Sequence, residues 1–187
     1  MAQTRRGESR RQSAKMAFCG LMVGLSAALM LAGGIIPVAT YCAPMAAGIL
    51  LLPVLLEYGK KSAWTAFAAT ALLSLMLDAD KEAAFFYLVL GYYPLVKWTF
   101  DRIRSKPLRV GAKLALFTAA TALMYAVMGL LLGMDAVVAE FREMGAALFA
   151  GFIVLFGVCM LLYDRLITPM AVLYARKLAP RLAFLRR

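Results

Sequence analysis

The chain alternates long uncharged runs with short charged clusters. No charged residue lies between Lys15 and Glu57. At about 1.5 Å rise per residue, that stretch suffices for two helical crossings of a hydrocarbon core about 30 Å thick. Pro37 and Pro44 bracket Tyr41 and Cys42. Proline removes a backbone donor and disfavours helix in the residue before it, so the chain should turn there. The pattern predicts a first span over 16–36 and a second over 43–57, kinked at Pro53. The connection Glu57-Tyr58-Gly59-Lys60-Lys61, with a helix-terminating glycine, leads into a short third span, Ser62 to Leu77.

The charged cluster Asp78-Ala79-Asp80-Lys81-Glu82 opens a fourth span, Ala83 to Phe100. Gly91-Tyr92-Tyr93-Pro94 predicts a kink within it, while Lys97 is placed to snorkel and Trp98 to sit in the interfacial belt. A basic segment follows, Asp101 to Lys113, in which Pro107 is expected to stop a helix. Leu114 to Met134 makes the fifth span, Asp135 to Glu143 an acidic connection, and Met144 to Tyr163 the sixth. The apolar character runs on past Asp164-Arg165 to about Ala175. A straight helix of that length exceeds the hydrocarbon core, so its last turns near Pro169 should protrude or lie along the interface.

The reading is therefore an all-α, polytopic membrane protein: a basic tail over 1–15, one six-helix transmembrane domain over 16–175 and a second basic tail over 176–187. Residues 1–15 carry Arg5, Arg6, Arg10, Arg11 and Lys15 against Glu8 alone, and should be partly disordered beside anionic lipid. Ser9-Arg10-Arg11-Gln12-Ser13 is similar to a twin-arginine export signal, but the hydrophobic run behind it is too long for a signal h-region and reads as an uncleaved span.

Composition agrees with this layout. Of 187 residues, 64% are hydrophobic and 17% charged, against roughly 45–50% and about 25% in soluble domains. The excess must face lipid. The formal charge of +11 would suggest nucleic acid in a soluble protein, but here the basic residues punctuate apolar runs and no nucleic-acid partner is expected. With the N-terminus inside, 19 of the 21 lysines and arginines fall on the cytoplasmic side, and only Lys81 and Arg142 fall outside. Both termini are thus expected in the cytoplasm of a multi-pass plasma-membrane protein.

Chemistry is sparse. There is no histidine to complete a zinc set, a HExxH site or a Ser/His pair, and no Walker A loop. No enzyme activity, metal or cofactor is expected. Cys19, Cys42 and Cys159 lie in or beside apolar runs and should be buried, reduced thiols. Lys97 and the Asp164-Arg165 pair are the only ionisable groups inside runs, which weighs against a proton-driven pump.

Two features could carry function. Gly20, Gly24, Ala28 and Ala32 recur four apart on the first helix, a small-residue ridge that serves either a partner subunit or internal packing. Asp78, Asp80, Lys81 and Glu82, with Arg142 in the last outer loop, Tyr41 in the turn after the first span and Tyr87 in the fourth span, could line the mouth of a ligand pocket. The alternative is solvated loops, with Asp80 and Glu82 favouring the start of the fourth span through the helix dipole.

Six short spans, an inside N-terminus and the basic lead-in Arg10-Arg11-Gln12-Ser13-Ala14-Lys15 running into a ridged first helix resemble the substrate-binding S components of energy-coupling-factor (ECF) vitamin and micronutrient importers. The resemblance implies capture of a small molecule from outside, with energy supplied by a coupling protein and two cytoplasmic ATPases. The family's AxxxA docking signature on the first helix has its nearest match in Ala28 and Ala32, extended by Gly24 and Gly20. Two other readings stand beside it: a non-catalytic scaffold similar in size and span count to the rod-shape-determining membrane protein, and a lipid-handling protein. The last needs a polar groove, and the sequence shows no intramembrane charge cluster to build one.

Overall fold

A computed structural model describes residues 2–34, 39–78, 81–132 and 134–182. Among these the regular secondary structure is entirely helical, in the order α1 (Ala2–Gly33), α2 (Ala39–Ile49), α3 (Leu52–Leu77), α4 (Lys81–Leu90), α5 (Tyr93–Phe100), α6 (Lys106–Leu132), α7 (Met134–Leu173), a π-helical turn (Tyr174–Leu178) and α8 (Ala179–Leu182). Among the described residues three helical stretches are long and apolar enough to cross a membrane: Gln12–Gly33, Lys106–Val127 and Val154–Leu178. A fourth is formed if the bent pair Cys42–Ile49 and Leu52–Leu77 counts as one span. The chain packs as two compact units, Met1–Val96 with Ile167–Arg187, and Lys97–Leu166.

In the first unit, α1 packs on α2 and α3, and α4 packs on α2 and α3. The basic lead-in, expected to be partly disordered, continues α1 as helix from Ala2. The expected turn at Pro37 lies outside the described residues. The kink at Pro53 is present: the axis bends 69° between α2 and α3, and Pro53 occupies the first turn of α3, where no N–H is needed. At the break, Leu50 N–H bonds Ala46 O and Leu51 N–H bonds Gly48 O. The Ala47 carbonyl instead accepts from the buried Ser26 hydroxyl at 3.3 Å, which fixes α1 against the corner.

Gly59 interrupts α3 with φ 79° and ψ 179°, a region essentially closed to residues with a Cβ. The connection expected at Glu57–Lys61 is therefore a one-residue break in the helical dihedrals. Around it Phe18 packs on the Tyr58 ring at 5.7 Å, the Lys15 ammonium lies 5.9 Å from that ring, and the Tyr174 hydroxyl donates to Glu57 Oε1 at 3.4 Å. The fourth span likewise divides, into α4 and α5 at Gly91-Tyr92, as the Gly-Tyr-Tyr-Pro sequence predicts.

The second unit holds α6, most of α7 and the end of α5. Two expectations fail here. Pro107 does not stop a helix; it sits in the first turn of α6, where its missing donor costs nothing and its fixed φ suits a helix start. The acidic stretch Asp135–Glu143, expected as a connection, lies inside α7, which runs 40 residues without a break, about 60 Å. Its alanines, glutamates and arginine are good helix formers and it holds no proline, so charge alone does not end the helix. Among the described residues the apolar stretch of α7 is Val154–Leu178, where it runs on into the π-helical turn. The thiols also differ: all three are free, but Cys42 is exposed and Cys19 and Cys159 are half-buried.

Candidate ligand-binding site

The core of the first unit centres on Tyr87 of α4, fully buried among Met30 of α1, Ala43 and Ala47 of α2, Ala71 of α3 and Ala83 of α4. The facing strip of α3 is polar. Thr70, Ser74 and Asp78 follow at four-residue spacing, which places them on one side of the helix, and all are buried (0%, 1% and 2% exposed). The hydroxyls of Thr70, Ser74 and Tyr87 make no hydrogen bond within the protein. Thr70 and Tyr87 face each other, but without hydrogen-bond geometry. A buried hydroxyl left in this state costs about 1–3 kcal/mol, and folded proteins carry few such groups. Three such groups lie along the seam between α3 and α4.

Aromatic rings continue the seam. Phe67 stacks on Tyr87 at 5.4 Å and 25°. Trp64 stacks on Tyr92 at 6.4 Å and 14°, and Phe67 meets Trp64 and Tyr92 edge-on. Gly91 makes the Tyr87 position possible, since a Cβ there would lie 2.7 Å from the ring edge. At the other end of the seam the Lys81 ammonium donates to Leu75 O (3.0 Å) and Asp78 O (2.7 Å), which satisfies terminal carbonyls of α3.

The predicted mouth residues are thus sorted. Asp78 and Tyr87 are buried core groups, not solvated ones. Lys81 is exposed and folds back on the α3 terminus. Glu82 lies in the first turn of α4, where its charge suits the helix dipole. Asp80 and the side chains of Tyr41 and Arg142 lie outside the described residues. Thr70 and Ser74 were missed by sequence reasoning, although their spacing with Asp78 was the signal that could have found them.

The small-residue ridge lies on the exposed side of α1. Gly20, Gly24, Ala28 and Ala32 are all exposed, and nothing lies within 4 Å of a Cβ built at Gly20 or Gly24. Helix α1 buries the opposite side instead, through Phe18, Ser26, Ala27 and Met30. The ridge does not pack within the described part of the chain.

The second unit holds a cluster that the sequence did not reveal. Lys97 was expected to snorkel; it is 3% exposed and pairs with Asp164 Oδ1 at 2.6 Å and Asp101 Oδ2 at 3.3 Å. Lys113, 4% exposed, pairs with Asp101 Oδ1 at 2.6 Å and Asp164 Oδ1 at 2.8 Å. Two ammonium groups and two carboxylates thereby neutralise one another, tying α5, α6 and α7 together. Among the described residues no group of histidine, cysteine or carboxylate side chains could hold a metal ion. Compared with protein-family models, curated proteins and solved structures, the chain matches none of them.

Proposed function

We propose that the chain is the membrane-embedded, non-catalytic substrate-capture subunit of an ECF-type importer in the plasma membrane. It takes a small molecule from the outer face and docks a coupling subunit, itself driven by two ATPases, through α1. In this reading the chain crosses six times with both termini inside: α1, α2 with the start of α3, α3 beyond Gly59, α4 with α5, α6, and α7. The distribution of basic residues supports that orientation.

The observation that carries the reading is the seam of three buried, internally unpartnered hydroxyls beside Asp78 and the Phe67–Tyr87 stack. A purely structural scaffold gains nothing from leaving such groups without partners in its core, whereas a capture protein needs them. The outward ridge of α1 supports the second half of the reading. Small side chains let the backbone of a partner's membrane helix approach closely, and Leu21 and Leu25, both exposed, flank it with apolar contact area.

Ala28→Trp places an indole on the ridge without touching the Tyr87 core. Recovery of the coupling subunit with the affinity-tagged chain should fall at least about tenfold, a loss of ~1.4 kcal/mol, while small-molecule binding persists. Undiminished recovery removes the ridge from the docking surface.

A further inference from the structure

We propose that the α3–α4 seam seats a small, flat, neutral or cationic organic molecule bearing hydrogen-bonding groups, and that it excludes anions. The inference rests on the capture reading above and adds the chemical class of the ligand. Three features define that class.

The first is the hydrogen-bonding inventory. Thr70, Ser74 and Tyr87 present hydroxyls, each able to donate or accept, so the seam suits amide, amidine, amine or hydroxyl groups. The second is shape. Phe67 covers the fully buried Tyr87 ring by stacking on it, and the partly exposed Phe67, Tyr92 and Trp64 rings form the aromatic surface. Ring faces carry negative electrostatic potential, favouring offset stacking of flat groups and attraction of cations.

The third is charge. Asp78 contributes a buried carboxyl group to the same strip of α3. No lysine or arginine occurs over 16–33 of α1, 39–49 of α2, 62–77 of α3 or 82–90 of α4, the four helices that enclose Tyr87. Lys81, the nearest basic residue in sequence, holds its ammonium on the Leu75 and Asp78 carbonyls. An anion placed on this seam would be desolvated without a counter-charge and beside a carboxyl group, which is strongly unfavourable.

The test uses three molecules of nearly equal shape that differ in charge: benzamidine (cation), benzamide (neutral) and benzoate (anion). The full chain in lipid nanodiscs carries Trp98→Phe, so that emission reports Trp64, stacked on Tyr92 at the end of the aromatic surface. At neutral pH, benzamidine and benzamide should change the emission saturably, with benzoate at least tenfold weaker. A Thr70→Val/Ser74→Ala variant, which keeps the side-chain volumes close, should weaken benzamide at least threefold. Benzoate binding as tightly as benzamide overturns the charge class and leaves the capture reading standing. Wild-type benzamide affinity in the hydroxyl variant, or no saturation by any of the three, overturns the seam as the seat. The capture reading is judged separately, by the proteins that copurify with the chain.

Discussion

Replacing Asp164 with alanine should destabilise the protein by about 3–5 kcal/mol. The carboxylate contacts both buried lysines, at 2.6 Å to Lys97 and at 2.8 and 2.9 Å to Lys113. Without it, two ammonium groups in a desolvated site share Asp101 alone. Burying an uncompensated charge costs more than the pair contributed when intact, which makes breaking the pair worse than never having had it. Asp101→Ala should cost less, because that side chain is 30% exposed against 18% for Asp164, and water can take over part of its role. Combining Asp164→Ala with Lys113→Met should recover much of the loss, since one Lys97–Asp101 pair remains and the surplus charge is gone. Heating the detergent-solubilised variants and measuring the monodisperse fraction by size exclusion gives the order. Equal losses for Asp164→Ala and the double variant would mean that the lysines are not electrostatically coupled through Asp164.

Gly91→Ala has the next largest expected effect. Its Cβ would stand 2.7 Å from Tyr87 Cε2 and 2.9 Å from Cδ2, closer than van der Waals contact allows. The Tyr87 ring is wedged among Met30, Ala43, Ala47 and Ala71, so it cannot swing aside freely, and overpacking of this kind costs about 1–3 kcal/mol. Trimming the ring should relieve the side-chain part of the clash and leave the contact with the Tyr87 carbonyl oxygen, also at 2.7 Å. A double-mutant cycle of Gly91→Ala with Tyr87→Ala should therefore be sub-additive, with a coupling of about 0.5–3 kcal/mol. Additive losses in thermal stability would show that Gly91 does not set the position of Tyr87.

The local features of this fold were legible because each has a local cause. Pro53 and Gly59 shape α3 through their own dihedrals, and Gly91 with Pro94 divides α4 from α5 in the same way. What escaped the sequence is long-range or cumulative. Nothing in the neighbourhood of Lys97 announces Asp164, 67 residues away, so a residue that could snorkel from an isolated helix is instead drawn into an ion-pair cluster. Asp135–Glu143 reads as a loop because it is charged, yet helix propensity depends on backbone and rotamer entropy, and its residues favour helix. Pro107 shows the same ambiguity: proline ends one helix or starts the next, and only the position of its neighbours decides.

The candidate site was half legible. Tyr87 and Asp78 stood out as an aromatic and an acid in telling places, but not their burial: Tyr87 lies in the core of the first unit and Asp78 is buried at the C-terminal end of α3. Thr70 and Ser74 looked like ordinary small polar residues tolerated in an apolar helix. Their place in the proposed seat rests on the absence of internal hydrogen-bond partners, a property that exists only once the helices are packed. The ridge of Gly20, Gly24, Ala28 and Ala32 was visible by spacing alone, but its exposure, which separates docking from internal packing, depends on which face of α1 the core claims.

The most direct test of the capture reading is affinity purification of the tagged chain from its native membrane in mild detergent, with mass spectrometry of the copurified proteins and small molecules. Capture predicts a membrane coupling protein, two ATPases and a retained small molecule that is lost from the Thr70→Val/Ser74→Ala variant. Recovery of cell-wall synthesis proteins, with no ATPase and no small molecule, would contradict it.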